Sequence, residues 1–525
     1  MVIKERGLLL GVYGFLFIPI VIFFTGFLKL WVGIPLSLLL GFVFYQLWKK
    51  TDTPGEIHIT KGELIGGVFI VLVWVWLSGI GGFAFQNYDF NGRNAFLRDL
   101  VNINWPVYYL HLPGVQTGSG PQPLYAMIYY MGYFLPAALF GKILGLNAAF
   151  IFLYVWTLIG VFYVILLIKK ILKSSLFFVL LLLIFFSGMD AVGTWLMSLV
   201  QPGRYPGLWP PIQHLEWWPQ FFQYSSFTTQ LFWVFNTAIP VWICVAIYLA
   251  FPNPRRMILL WSICFFFAPV PALGFFPLVV AEGLKDFLES KNRQLEKPNH
   301  AFAQRILFIG KRWLTFENVV GVIVIGFSFA YFSGNRMSAT IRFFNFNPES
   351  FLSFLLFIFL EGILIWMFFA KEMYKNPVWY AVGILLIVCP FFVVGRNQDF
   401  VMRVSMAALF ILMVWVGEAL RKKNWTYRPI LIVFLIIGAL SPLYEINRSV
   451  YRTAEYFLSP QNTSEASSLT PEEVMDDKYV PELIHPGSLV ADGFVTLSNF
   501  PPSSLTYYVG DIRGTFLEKY LFKSP

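Results

Sequence analysis

Asp89, Arg93, Arg98 and Asp99 fall within thirteen residues of each other in NYDFNGRNAFLRD, directly after an apolar run, Leu64 to Phe83, that could cross a bilayer. A partly desolvated carboxylate at the edge of a hydrocarbon slab can take a proton from an incoming hydroxyl, and arginine forks beside it can hold phosphate oxygens in pairs. Asp89 is therefore a candidate general base; the competing reading is a helix cap or an ion pair with Arg93, four residues on. Asp99, on a helix predicted over 93–101, is better suited to pairing with a neighbouring arginine. Asp190, in FFSGMDAVG, ends an apolar run on the same side, either as a second catalytic carboxylate sharing a cavity with Asp89 or as a structural ion pair.

Three further groups carry binding chemistry. His214, Glu216, Trp217 and Trp218 in HLEWWPQ set an imidazole and a carboxylate beside adjacent indoles, which suit either the apolar face of a sugar ring or an interfacial aromatic belt. RNQDFVMR supplies Arg396, Asp399 and Arg403, with ion pairing of Asp399 to either arginine as the plainer alternative, and Arg336 and Arg342 lie in the preceding loop. Together with Arg93, Arg98 and Arg204 these make seven arginines in polar loops that hold only Lys29 and Lys142 as lysines. Arginine's planar, weakly hydrated fork suits phosphate at a bilayer edge, whereas lysine would serve solubility as well. Glu361, in mid-span, either bonds another helix or lines a cavity.

Positioning these residues falls to elements built for lipid. Of 525 residues 57% are hydrophobic and 13% charged, which predicts an all-α integral membrane protein. Spans are expected at 8–27, 30–48, 64–83, 148–168, 175–197, 228–250, 257–270, 272–284, 318–334, 350–370, 377–395, 404–420 and 428–446. That is about thirteen transmembrane helices, with outer juxtamembrane helices and a small C-terminal extracytoplasmic segment. A cytoplasmic N-terminus puts 23 of the 38 Lys and Arg residues inside, as the positive-inside rule requires. Pro123 to Gly145 is apolar enough to cross, but crossing would throw every later basic cluster outside. It is therefore predicted to lie along or re-enter the outer face, interrupted near Pro136. The prolines in 257–284 leave two short crossings or a re-entrant pair open.

The run 8–27 leads straight into a second apolar run, so no cleaved signal peptide is expected. The three cysteines sit in apolar runs and are expected to be packing residues. No nucleotide-binding loop and no zinc-site spacing occur. The expected organisation is an N-terminal hairpin and cytoplasmic loop (1–63), a core with a large outer loop at 84–147 (64–446), and an extracytoplasmic tail or cap (447–525). Its end, TYYVGDIRGTFLEKYLFK, is expected to dock.

This layout, with an acidic first outer loop (Asp89), a following proline-containing juxtamembrane helix (Pro123, Pro136), a second outer acidic site (Asp190) and late outer arginines, resembles the C-type integral-membrane glycosyltransferase superfamily. That superfamily includes protein O-mannosyltransferases and lipid A aminoarabinose transferases. The chain departs from the pattern in its extra hairpin at 8–48 and in lacking a paired acid after Asp89. The resemblance implies an inverting transferase in the cell membrane that moves a sugar from a polyprenyl-phosphate donor to a glycan, lipid or protein acceptor outside. Asp89 would be its base. No cofactor and no metal are called for when arginines clamp a single lipid phosphate, and no nucleic-acid partner is expected. A transporter or flippase of lipid-linked glycan, or a surface-polysaccharide polymerase or ligase, is the alternative.

Overall fold

The computed structural model describes residues 1–50, 54–87, 89–109, 123–201, 211, 214–292, 301–335, 341–394, 399–422, 425–458 and 507–524. Arg204, Arg336, Arg396, the loop 110–122 and the tail 459–506 lie outside them.

The chain begins with β1 (Val2–Lys4), α1 (Glu5–Phe27), α2 (Leu30–Lys50), β2 (Glu56–His58) and α3 (Lys61–Leu77). A group of shorter elements follows: α4 (Asp89–Asn102), β3 (Tyr108–Tyr109), β4 (Tyr125–Met127) and α5 (Leu135–Leu144). Next come α6 (Leu146–Leu172), α7 (Leu176–Phe185), α8 (Asp190–Val200), α9 (Phe227–Ala250), α10 (Met257–Phe267), α11 (Pro269–Asn292), α12 (Ala301–Trp313) and α13 (Phe316–Phe332). The last part holds β5 (Ile341–Phe343), α14 (Pro348–Phe357), a π turn (Ile358–Ile363), α15 (Leu364–Met367), α16 (Ala370–Met373), α17 (Pro377–Val388) and β6 (Phe392–Val394). It closes with α18 (Asp399–Arg421), α19 (Arg428–Gly438), α20 (Leu440–Leu458) and β7 (Val509–Asp511).

Among the described residues, eight helical stretches are long and apolar enough to cross a bilayer, or nine if the pair 306–313 and 316–332, bent by 71°, counts as one. The molecule is thus a multi-pass, essentially all-α membrane protein. Its strands are two or three residues long and pair only in small sheets, β1 with β2, β3–β4–β7, and β5 with β6. The centre of the bundle is α9 and α18, buried along most of their length.

The two ends of the bundle differ. At one, β1 pairs with β2, Lys170 meets Glu5 and Lys169 meets Glu63, while Lys50, Arg255 and Arg256 line a common groove. At the other, β7 adds to β4, and Phe522 bridges Leu28. The C-terminal segment therefore docks on the loops at this end and on the α1–α2 turn. There Lys29 Nζ donates to the Lys519 carbonyl and Tyr108 to that of Lys523.

Residues 123–145 form β4, a 3-10 turn and α5. At ten residues α5 is about 15 Å long, half a bilayer core. Pro136 does not interrupt this helix, as the sequence suggested, but sits in its first turn, where a missing N–H costs nothing. The predicted span 175–197 is broken between α7 and α8, at 186–189.

The predicted span 228–250 is folded on itself. Val234 leaves the helical region (φ −142°, ψ 33°), Trp242 Nε1 donates to Gln230 Oε1 at 2.8 Å, and the Phe227 and Trp242 rings sit 5.4 Å apart. In a straight helix those two residues would be about 22 Å apart. Residues 227–233 are thus a re-entrant half-helix that turns back at Val234, and only the remainder of α9 runs the length of the bundle.

Candidate functional site

The loop before α4 is fastened through Asn87. Its Oδ1 accepts from the Asp89 N–H and its Nδ2 donates to the Phe232 carbonyl. Asp89 so becomes the first residue of α4, where the helix dipole favours a carboxylate. Arg93 Nη2 pairs with Asp89 Oδ2 at 2.8 Å and also donates to the Trp233 carbonyl at the fold of α9. Its guanidinium lies over Phe90 and Phe235. Arg93 is buried, and Nη1 has no hydrogen-bond partner among the described residues. Asp99 accepts from the Tyr109 hydroxyl at 2.6 Å.

Asp399 opens α18 in the same manner, with Arg403 Nη2 at 3.1 Å from its Oδ2 and the Arg403 guanidinium over Tyr130. The two motifs, three hundred residues apart in the chain, meet: Asp89 and Asp399 line one cavity of about 70 Å³ with His214, Trp217, Gln223, Ser225, Thr229, Trp233, Val234 and Met402. Burial raises the Asp89 carboxyl above its ordinary range; Arg93 and Arg403 oppose that rise and Asp399 adds to it.

The re-entrant segment supplies one wall. Glu216 accepts from Ser226 N–H (3.0 Å), the Thr229 hydroxyl (2.6 Å) and Gln223 Nε2 (3.0 Å), which ties the descending chain to the half-helix. The imidazole of His214 stacks on Trp217 with centroids 5.3 Å apart, and its Nε2 is 3.7 Å from Glu445 Oε2. Trp217 is 45% exposed at the cavity wall, whereas Trp218 is buried and donates from Nε1 to Asp190 Oδ1 at 3.3 Å.

The predicted residues therefore separate. Asp89, His214, Trp217 and Asp399 line the cavity, with Arg93 and Arg403 paired at its edge. Glu216 and Trp218 hold the re-entrant segment from behind. Asp190 does not reach the cavity: its Oδ2 accepts from Ser187 and Ser441, so both oxygens are engaged by buried neighbours. Arg342 is exposed on β5 and is absent from the described cavity lining.

Sequence reasoning missed Trp233, Gln223 and the pair Glu445–Arg448. Trp233 Nε1 donates to Glu445 Oε1 at 2.8 Å, and Arg448 Nη1 holds both oxygens of Glu445. A signal was present: Ser441, Glu445, Arg448, Ser449 and Thr453 recur at helical spacing, and α20 turns that polar stripe inward while Leu440, Leu443 and Val450 face out. The expected boundary at 446–447 falls inside this helix.

Among the described residues no three His, Cys, Asp or Glu side chains group to hold a metal ion. What the arrangement offers is proton transfer at Asp89, cationic forks beside it, and indole faces for a ring. The class established by the fold is a multi-pass helical membrane protein with a polar cavity near one end of the bundle. No family model, curated protein or solved structure matches the chain.

Proposed function

We propose that the protein is a membrane glycosyltransferase that takes a sugar from a polyprenyl-phosphate donor and passes it to a glycan, lipid or protein hydroxyl on the outer face. The observation that carries this reading is the meeting of two acid–arginine pairs, Asp89–Arg93 and Asp399–Arg403, at one cavity walled by Trp217 and His214. Asp89 takes the proton of the acceptor hydroxyl, whose oxygen attacks the anomeric carbon as the carbon–oxygen bond to phosphate breaks. The polyprenyl phosphate leaves with its charge stabilised by Arg403. Trp217 offers a face to the sugar ring.

In this reading the N-terminus is cytoplasmic, the C-terminal segment lies outside, and α3, α10, α11 and α17 cross as well, for about thirteen crossings in all. The test is transfer of labelled sugar from a polyprenyl-phosphate donor by the purified chain, with Asp89→Asn as control. Wild-type transfer that Asp89→Asn loses supports the reading; no transfer from any such donor defeats it.

One observation favours a second reading as a transporter of lipid-linked glycan. The broken α7–α8 and the half-helix at 227–233 carry polar groups into the bundle, as transporter sites do. A transporter would move the labelled donor across a vesicle membrane with its sugar–phosphate bond intact.

A further inference from the structure

The groove at the basic end of the bundle has a volume of about 340 Å³. Its described lining sets three cations, Lys50, Arg255 and Arg256, against one carboxylate, Glu317, a surplus of two positive charges. Other cations at this end are spoken for: Lys169, Lys170 and Arg312 each meet a carboxylate. Those of the groove make no ion pair among the described residues. Lys50 Nζ donates to the neutral amide of Gln46, and Arg256 is half-buried, its Nε sealed from solvent with no hydrogen-bond partner among the described residues.

The two arginines are held in place by a rigid support. They sit on the 3-10 turn Pro254–Arg256, where Asn253 Oδ1 accepts from the Arg255 N–H and the Thr315 hydroxyl donates to the Arg255 carbonyl at 2.6 Å. Asn318, in the first turn of α13, donates to the Pro254 and Trp313 carbonyls and accepts from the N–H groups of Ile258 and Leu259. Forks fixed in this way suit phosphate oxygens taken in pairs.

The surroundings place the groove at the level of a bilayer interface. Helix α12 meets α13 at a bend of 71° beside Thr315, so it lies nearly across the end of the bundle, with Ile306 and Leu307 exposed and Lys311 on the same helix. Tyr45 and Trp48 are exposed near the end of α2, as interfacial aromatics are. Away from the groove both walls turn apolar: Leu38 and Phe42 of α2 and Val319 and Val322 of α13 are exposed, and the Phe42 ring meets Phe316 edge-on at 5.1 Å. A free anion has no use for such walls, whereas acyl chains do.

We propose that this groove binds the headgroup of an anionic phospholipid. Arg255, Arg256 and Lys50 hold the phosphate, Glu317 offers an acceptor to a headgroup hydroxyl, and the acyl chains lie along the exposed faces of α2 and α13. Basic pockets between membrane helices hold such headgroups elsewhere. The lipid ties α2, the 254–256 turn and α13 together at this end of the bundle. None of this depends on the sugar-transfer reading.

The test is thermal unfolding of the purified full chain in detergent, titrated with phosphatidylglycerol, phosphatidylcholine or inorganic phosphate, with native mass spectrometry counting retained lipid. The expected result is a saturable rise of about 2–4 °C with phosphatidylglycerol alone and one such lipid tightly retained per chain. Arg256→Gln and Lys50→Gln should each raise the half-saturating concentration about fivefold. Lys49→Gln, which removes an exposed charge outside the groove lining, should leave it unchanged. Arg255→Gln, at an exposed position, gives the same readout if Arg256→Gln does not fold. An equal response to phosphatidylcholine would overturn the site by showing a general lipid effect, and an equal response to inorganic phosphate by showing a free-anion site. Equal weakening by Lys49→Gln would reduce it to diffuse surface charge.

Discussion

The charge pairs at the two ends of the bundle are built differently. At the basic end they join elements far apart in sequence: Lys169 reaches Glu63 across 106 residues and Lys170 reaches Glu5 across 165. Glu63 also accepts from the backbone N–H groups of Thr60 and Leu176, so one carboxylate caps α3 and grips the start of α7. At the cavity end the pairs Asp89–Arg93 and Asp399–Arg403 are each i,i+4 within one helix. A pair confined to one helix adds about 0.3–0.5 kcal/mol when exposed; its ion-pair contact joins no two elements, and only the further contacts of Arg93 with the Trp233 carbonyl and of Arg403 with Tyr130 reach outside the helix. The first kind of pair assembles the bundle. The second places a carboxylate and a guanidinium at a helix start, where a ligand can compete for either.

The largest effect expected from this contrast is on Asp89→Asn. If Asp89 is the base, turnover should fall about 10²–10⁴-fold while donor binding and unfolding temperature stay near wild type. Loss of binding or stability together with rate would make Asp89 a fastener like Glu63 and erase the difference between the two ends. Next, Arg403→Lys keeps the charge but loses the fork, and turnover should drop about 10²-fold at normal expression; unchanged turnover would remove Arg403 from the clamp.

A pH profile sharpens the same contrast. Burial raises the Asp89 carboxyl and Arg93 and Arg403 hold it back, so transfer should fall with acid through a limb above the ordinary carboxylate range. Arg93→Gln should move that limb further up. The stability sign is opposite: a raised carboxyl favours folding at pH below its unfolded value, and that contribution is lost as pH rises through the folded value. A limb at the ordinary carboxylate position would mean that Asp89 is not the titrating group.

At the basic end, Lys169→Met should leave turnover unchanged and cost about 1.5–3 kcal/mol of stability, seen as a lower unfolding temperature. The smallest effect belongs to Arg342→Ala. Its exposed position on β5 predicts a stability change within about 0.5 kcal/mol and no loss of transfer; a clear loss would bring β5 into the site.

Local features of the site were legible in the chain. NYDFNGR and RNQDFVMR announce acid–arginine pairs because four-residue spacing on a helix is a short-range property. The expectation that 123–145 does not cross came from the basic clusters alone, and the structure gives this stretch β4 and the short α5. What escaped was anything set by contacts between distant residues. Phe227 to Ala250 reads as one apolar span because hydropathy is summed along the chain, and nothing in that sum reveals that Gln230 and Trp242 bond to each other. Glu216 and Trp217 are one residue apart, yet one braces the re-entrant segment and the other faces the cavity.

The sequence by itself determined that this protein lives in a membrane and which of its loops carry the basic clusters, because the transfer of side chains into lipid and the sorting of charge depend on composition over twenty-residue lengths. Tertiary structure alone decided that Asp89 and Asp399 share a cavity while Asp190 is sealed beneath three donors. The reason is physical: what a carboxylate can do depends on the donors, charges and water within a few ångströms of it, and in a bundle of this kind those neighbours come from helices hundreds of residues away.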